Sequence, residues 1–186
     1  MPNDMSTKQS SRPLAGKPPV AADFRHALGH FATGITVITM LDEQGILHGL
    51  TANAVSSVSL EPPLILFCIK NTARSFEILQ RRRAFCLHIL TESQKDIAMA
   101  FASSADRSTI CEWTTTERGL PLLDGFHVAL QCTIEEIYPG GDHGIILARV
   151  HEIHAGDQEA GPLLFYKGQI TSFGNRVAPR TGQPAA

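Results

Sequence analysis

Residues 127–138, HVALQCTIEEIY, place Val128, Leu130, Cys132 and Ile134 on one face and His127, Gln131, Thr133 and Glu135 on the other. A period of two is the mark of a strand with one face in a core and one outside it. GGDH then turns the chain into a second apolar run, GIILARVHEI. A long strand needs partners along its edges, so the question is whether the rest of the chain supplies them.

It does. ITVITML and ILHGLTA flank the turn signal DEQG, so residues 35–52 read as a hairpin. PPLILFCIK is apolar on both faces, as in a strand covered from both sides. AFCLHIL is a further strand, and GPLLFYKGQITSF closes the pattern with a short pair. Helical spacing appears three times. Asp23 is placed to cap a helix bearing Phe24, Leu28 and Phe31, with Gly34 to end it. NTARSFEILQRRR sets Phe76 and Leu79 on one helical face, and SQKDIAMAFA opens with Ser93 and Asp96 at capping-box spacing. Many strands with few helical interludes predict a mainly β, antiparallel barrel with peripheral helices. A chain of 186 residues fits one such domain, taken as 21–173. Residues 1–20 and 174–186, rich in Ser, Pro and small side chains, read as flexible tails.

A net charge of -2 and a pI near 6.4 provide no basic field for nucleic acid or an anionic membrane surface. Cys68, Cys86, Cys111 and Cys132 are far apart, without CxxC or zinc spacing, and read as buried free thiols. No apolar leader is visible and no run reaches the roughly 18 apolar residues of a membrane span. The expectation is a soluble cytoplasmic protein. His26 and His30 share a helical face but lack a third ligand, so no metal is expected. The Arg run at 81–83 reads as a solvated helix end.

Dinucleotide-binding, P-loop, zinc-protease and nucleophile-elbow motifs are absent. What stands out is TANAVSSVS, residues 51–59, at the mouth of the apolar strand. Thr51, Asn53, Ser56, Ser57 and Ser59 offer side-chain donors, and small neighbours let backbone N–H groups approach a phosphate or a planar heterocycle. The same residues suit a turn that satisfies its own backbone. Downstream, Thr72, Arg74 and Ser75 gather at a predicted helix start, which favours an anion. In GGDHG, Asp142 can orient His143 at a strand's mouth, or the stretch forms a plain polar turn with a surface histidine.

The stretches FRHALGHFATGITVITM, GLTANAVSSVSLEPPLILFCI, FCLHILTESQKDIAMAFA, GLPLLDGFHVALQC, GDHGIILARV and PLLFYKGQITSF together resemble the short-chain flavin reductases. These are FMN-binding split-barrel proteins that serve as reductase components of two-component flavin-dependent monooxygenases. The resemblance spans roughly residues 24–173 and implies a homodimeric antiparallel split β-barrel that binds FMN or FAD and reduces it with NADH or NADPH. It implies that Thr51 through Ser59, including Ala52, Ser56 and Val58, line the flavin, with the Pro62–Lys70 strand and its Cys68 as the floor. Thr51, Ala52 and Asn53 would meet the ring edge and ribityl chain. Ser57 would meet the phosphate with Arg74 and Ser75, beside Thr72. Phe101 would lie near the same pocket, and His143, with Tyr166 nearby, would contact the nicotinamide nucleotide. The chain departs from the family in having Ala148 where Gly is common, which would crowd the cleft beside His143.

Hydride transfer between two cofactors asks the protein for stacking and charge stabilisation rather than a nucleophile, and the sequence offers donors and cations of that kind. The expected function is an NAD(P)H:flavin oxidoreductase feeding reduced flavin to a partner monooxygenase. The rivals are an oxidoreductase with tightly bound FMN acting on another acceptor, and a non-catalytic flavin-binding or redox-sensing module.

Overall fold

The computed structural model describes residues 18–103 and 111–173. Three helices and twelve strands follow in the order α1 (Ala21–Leu28), β1 (Thr33–Gly34), β2 (Thr36–Leu41), β3 (Leu47–Ala52), β4 (Val55–Leu60), β5 (Pro63–Lys70), α2 (Arg74–Arg82), β6 (Ala84–Ile89), α3 (Lys95–Ala102), β7 (Trp113–Thr115), β8 (Pro121–Leu123), β9 (Val128–Gly140), β10 (His143–Ala155), β11 (Leu163–Tyr166) and β12 (Gln169–Ser172). The flexible tails expected from sequence fall almost wholly outside the described residues.

Seven strands form one antiparallel sheet in the order β3-β2-β6-β9-β10-β5-β4. The edge strands β3 and β4 are consecutive, joined only by Asn53 and Ala54. In a flat sheet they would lie six spacings, about 29 Å, apart, whereas three trans peptide links reach at most about 11 Å. The sheet must therefore curl until its edges meet at this seam. A ring contact across the interior agrees: Phe67 of β5 and Phe85 of β6 are 5.3 Å apart between centroids, although β9 and β10 lie between their strands. The edges do not hydrogen-bond to each other, which makes this a split barrel. Its interior is filled by Ile38, Met40, Phe67, Leu79, Phe85 and Ile146 with their neighbours.

α2 packs Phe76, Ile78 and Leu79 inward, on the face expected from sequence. It ends at Arg83 in a left-handed conformation, φ 53°, where the guanidinium donates to the carbonyls of Ile134 and Glu135 at 3.0 and 2.8 Å. α1 starts after Val20 with no side-chain cap, and Asp23 lies inside its first turn. Gly29 ends it, and Gly34 instead enters β1. Before α3 the capping box uses Thr91 and Gln94 rather than Ser93 and Asp96, because Gln94 also donates to Asp124 O at 2.8 Å and so ties the turn to the chain beyond β8. A three-stranded sheet, β1-β11-β12, and the β7-β8 hairpin complete the described structure.

Two sequence expectations change on the outer face. Gln131, assigned to the polar side of β9, is buried, hydrogen-bonded to Thr116, Glu152 and His154. Of the cysteines, Cys86 and Cys132 are buried but Cys68 and Cys111 are only partly so, and none is bridged. Burial pushes the Cys86 thiol up to about 12.

His88 pins three strands together. It is fully buried, donates from Nδ1 to Val37 O at 3.1 Å and accepts from Leu123 N at 3.1 Å through Nε2. Burial drives its pKa from 6.5 to about 4, against the pull of the Val37 carbonyl. The unfolded chain then takes up a proton that the folded chain refuses, so this contribution to stability is whole above pH 6.5 and lost as pH falls toward 4. Denaturant unfolding at pH 7 and pH 4.5 should show His88 contributing a loss on the order of 3 kcal/mol, with a shallower pH slope in His88→Gln. Equal slopes in the two proteins would contradict this.

Candidate functional site

The seam opens into a cleft of about 970 Å³. Its long wall is the hairpin end and β3, continuous from Gly45 to Ala54, and its opposite side is formed by β5, the start of α2, the end of α3, Trp113 and His143. β3 is an edge strand, so it can present its free side to a ligand as well as its side chains.

Three local interactions shape this wall. Ser75 Oγ donates to Gly49 O at 3.0 Å and fixes the start of α2 against the middle of β3. Thr51 Oγ1 donates to Ala98 O at 2.6 Å and fixes α3 against the same strand. Gly49 leaves room for Phe101: a Cβ there would sit 2.7 Å from two atoms of that ring and 2.5 Å from Ile38 O. The hydroxyls of Thr51 and Ser75 are thus already used as donors within the fold, and what they offer a ligand is oxygen lone pairs. Asn53, exposed at the seam, makes no side-chain hydrogen bond to the described residues.

The cleft is electropositive in an acidic chain. Lys70 and Arg74 line it, both exposed and neither in an ion pair with the described residues, and no Asp or Glu among the described residues lines it. No side chain caps α2, so the first-turn N–H groups of Arg74 and Ser75 add donors on the same side. At the mouth, His143 opens β10 beside Lys70 of β5, and its Nδ1 lies 2.8 Å from Asp142 Oδ1. The hydrogen bond and charge of the His143 ring hold the Asp142 carboxyl below its ordinary range. The turn is secured from below, since Asn71 donates from its amide and side chain to Asp142 O and Gly141 O, both at 3.1 Å.

Of the residues singled out by sequence, Thr51, Ala52 and Asn53 line the cleft with Cys68, Arg74 and Ser75, and so do Phe101 and His143. Ser56, Ser57, Val58 and Ser59 do not. Past the seam they belong to β4, where Ser56, Ser57 and Ser59 pair with β5 and the register shifts across Val58. Thr72 lies in the exposed turn before α2, and Tyr166 sits at the tip of the β11-β12 hairpin under Lys167. Ala148 is buried in the barrel core and does not touch the cleft, so the expected crowding of His143 does not arise. Sequence reasoning passed over Ile46, His48, Lys70 and Trp113, which line the cleft. Lys70 was legible as the residue ending the apolar strand; Trp113 carried no local signal.

Comparison with known proteins agrees with this architecture. The model of the family described as the flavin reductase like domain matches residues 28–174, and the chain belongs to that family. The reductase subunit HsaB of a flavin-dependent monooxygenase from Rhodococcus jostii strain RHA1 is 38% identical over 151 residues, 81% of this chain and 76% of that protein. An NADH:FMN oxidoreductase from Rhodococcus erythropolis is 36% identical over 154 residues, 80% of each chain. Among solved structures, the NADH:FAD oxidoreductase SgcE6 of Streptomyces globisporus C-1027, in complex with NAD and FAD fragments, superposes with a TM-score of 0.76 at 32% identity, covering 87% of this chain and 94% of that one.

The fit of Phe101 against Gly49 makes Gly49→Ala a sharp test of the wall. A methyl group there must push back both a ring and a backbone carbonyl, and overpacking of this kind costs about 1–3 kcal/mol. Chemical denaturation should show that loss; a variant as stable as the wild type would mean that the wall yields freely.

Proposed function

We propose that the protein is an NAD(P)H-dependent flavin reductase that moves a hydride from NADH or NADPH to FMN or FAD and hands the reduced flavin to a separate flavin-dependent monooxygenase. The observation that carries the reading is the charge of the cleft: in a chain of net charge -2, Lys70 and Arg74 line it and no carboxylate among the described residues does, Asp142 standing outside the lining, where His143 and Lys70 hold its carboxyl below its ordinary range. That lining, together with small residues along β3 and aromatic rings at Phe101 and Trp113, fits a phosphate-bearing heteroaromatic ligand.

In this assignment Arg74 and the first turn of α2 hold the phosphate, while Thr51, Ala52 and Asn53 meet the ring edge and ribityl chain. Cys68 and Ile69 form an apolar floor that excludes water. Lys70 steadies the negative charge that collects on the reduced ring. His143, oriented by Asp142, positions the nicotinamide nucleotide at the mouth. The flavin and the nicotinamide supply the hydride acceptor and donor, so no nucleophile or acid-base dyad is required of the chain.

The reading extends to a homodimer, supported by exposed apolar residues on α1 (Phe24 58%, Leu28 53%) and β4 (Val58 48%, Leu60 78%). In such a dimer Ser56, Ser57, Ser59, Thr72 and Tyr166 lie on outer surfaces where a second copy could bring them toward a ligand. Four unbridged cysteines agree with a reducing compartment, the cytoplasm.

NADH or NADPH oxidation by the purified protein, with FMN, FAD or riboflavin in molar excess, should saturate with added flavin. His143→Ala should lower kcat/KM for the nicotinamide nucleotide about ten-fold, the effect of losing roughly 1.4 kcal/mol of positioning. Flavin binding without turnover would instead assign the barrel to a sensor or carrier, and flavin that cannot be exchanged would point to a different acceptor.

A further inference from the structure

The turn that carries Asp142 is short and has little of its own to hold it. β9 ends at Gly140 and β10 begins at His143, so Gly141 and Asp142 make the whole connection. Gly141 adopts φ 75°, a left-handed conformation that glycine enters without strain, and the Asp142 side chain is 88% exposed. Yet this turn orients His143, whose Nδ1 lies 2.8 Å from Asp142 Oδ1.

Asn71 supplies what the turn lacks. Its side-chain Nδ2 donates to Gly141 O and its backbone N–H to Asp142 O, both at 3.1 Å. Those carbonyls belong to the two peptide groups on either side of Asp142. One residue therefore fixes both planes, and with them the direction in which the Asp142 side chain leaves the backbone. No other side chain outside the hairpin hydrogen-bonds to Gly141 or Asp142 among the described residues.

The dependence runs one way. The β5-α2 turn that carries Asn71 is held without its side chain: Ala73 N donates to Lys70 O at 3.0 Å, Phe76 N to Ala73 O at 2.9 Å, and Ser75 Oγ to Gly49 O at 3.0 Å. The start of β10 is held as well. His143 and Gly144 pair with Lys70 and Ile69, and Gly144 lies so close to Phe76 that a Cβ there would come within 2.7 Å of its ring. Losing the Asn71 side chain thus loosens the turn and leaves Arg74 and the first residues of β10 in place.

The turn decides which nitrogen of His143 is available. The hydrogen bond from His143 keeps the Asp142 carboxyl below its ordinary range; ionised, it can only accept, so Nδ1 carries the hydrogen. In the neutral ring Nε2 is then an acceptor, and it makes no hydrogen bond to the described residues. That nitrogen is left for a nucleotide in the cleft that the ring lines.

Resting on the flavin reductase reading above, we propose that Asn71 is a positioning residue for the nicotinamide nucleotide. It does not line the cleft and acts through others: Asn71 holds the Gly141-Asp142 turn, the turn holds the carboxylate, and the carboxylate presents His143 with Nε2 free to accept from the nucleotide.

The test is steady-state oxidation of NADH or NADPH at saturating flavin, with flavin binding followed by fluorescence, on wild type, Asn71→Ala, His143→Ala and the double variant. Asn71→Ala should raise KM for the nicotinamide nucleotide about five-fold, the scale of one lost hydrogen bond, and move kcat and the flavin Kd less than about two-fold. Asn71→Asp keeps the side chain's shape, removes its donor and should raise KM at least as far. In the His143→Ala background Asn71→Ala should change KM less than about two-fold, because the turn then has no ring to aim. An equal rise in both backgrounds, or an equal rise in the flavin Kd, would make Asn71 a support of the fold and overturn the proposal, with the reductase reading intact. So would a KM that Asn71→Ala leaves unmoved while His143→Ala raises it. If His143→Ala itself leaves KM unmoved, the role of His143 falls and this inference with it, while turnover that saturates with flavin still upholds the reductase. Absence of flavin-dependent turnover removes both.

Discussion

Two residues carry the chain from one edge of a seven-stranded sheet to the other. Because Asn53 and Ala54 cannot bridge a flat sheet of that width, the sheet has to curl, and curling creates both the interior and the seam. The interior is then packed from every strand, with Phe67 and Phe85 meeting across it. At the seam β3 keeps a free edge. An unpaired edge is ordinarily a hazard; here α2 and α3 each fasten to it by one hydroxyl, and the remaining length is the wall of the cleft.

The placement of charge follows from the same geometry. β5 runs toward the seam and ends in Lys70; the chain turns and begins α2 at Arg74, so a strand end and a helix start deliver two cations to one side. Asp142 is drawn to His143 at the mouth and does not line the cleft. The result is a positive cleft in an acidic molecule, with a potential that favours phosphorylated ligands without a basic surface that would attract polymers of phosphate. A reaction whose chemistry resides in two cofactors needs little beyond this: a shaped, partly apolar cleft with fixed donors and cations.

Much of this was legible. Period-two alternation located β9, helical spacing located α2, and Arg74, Ser75 and His143 were marked by their positions at element ends, where backbone groups and turns favour ligands. What the local pattern did not show has one cause. TANAVSSVS looks continuous in sequence, but the seam cuts it after Ala54, so Thr51, Ala52 and Asn53 line the cleft while Ser56, Ser57 and Ser59 pair along β5. Gln131 reads as solvent-facing by alternation, yet Thr116 and His154 close over it, because a second layer on the outside of a strand leaves no mark on the strand's own pattern.

The sequence by itself determined the elements, since hydrophobic periodicity and turn residues act over a few neighbours, and it determined which polar groups stood at their ends. Only the tertiary structure decided which of those ends meet. Trp113 and Ile46 are 67 residues apart in the chain and both line the cleft, and His48 acquires its orientation from a carboxylate held by the turn before it. Such proximities depend on the closure of the sheet, a property of the whole set of strand pairings that no local stretch encodes.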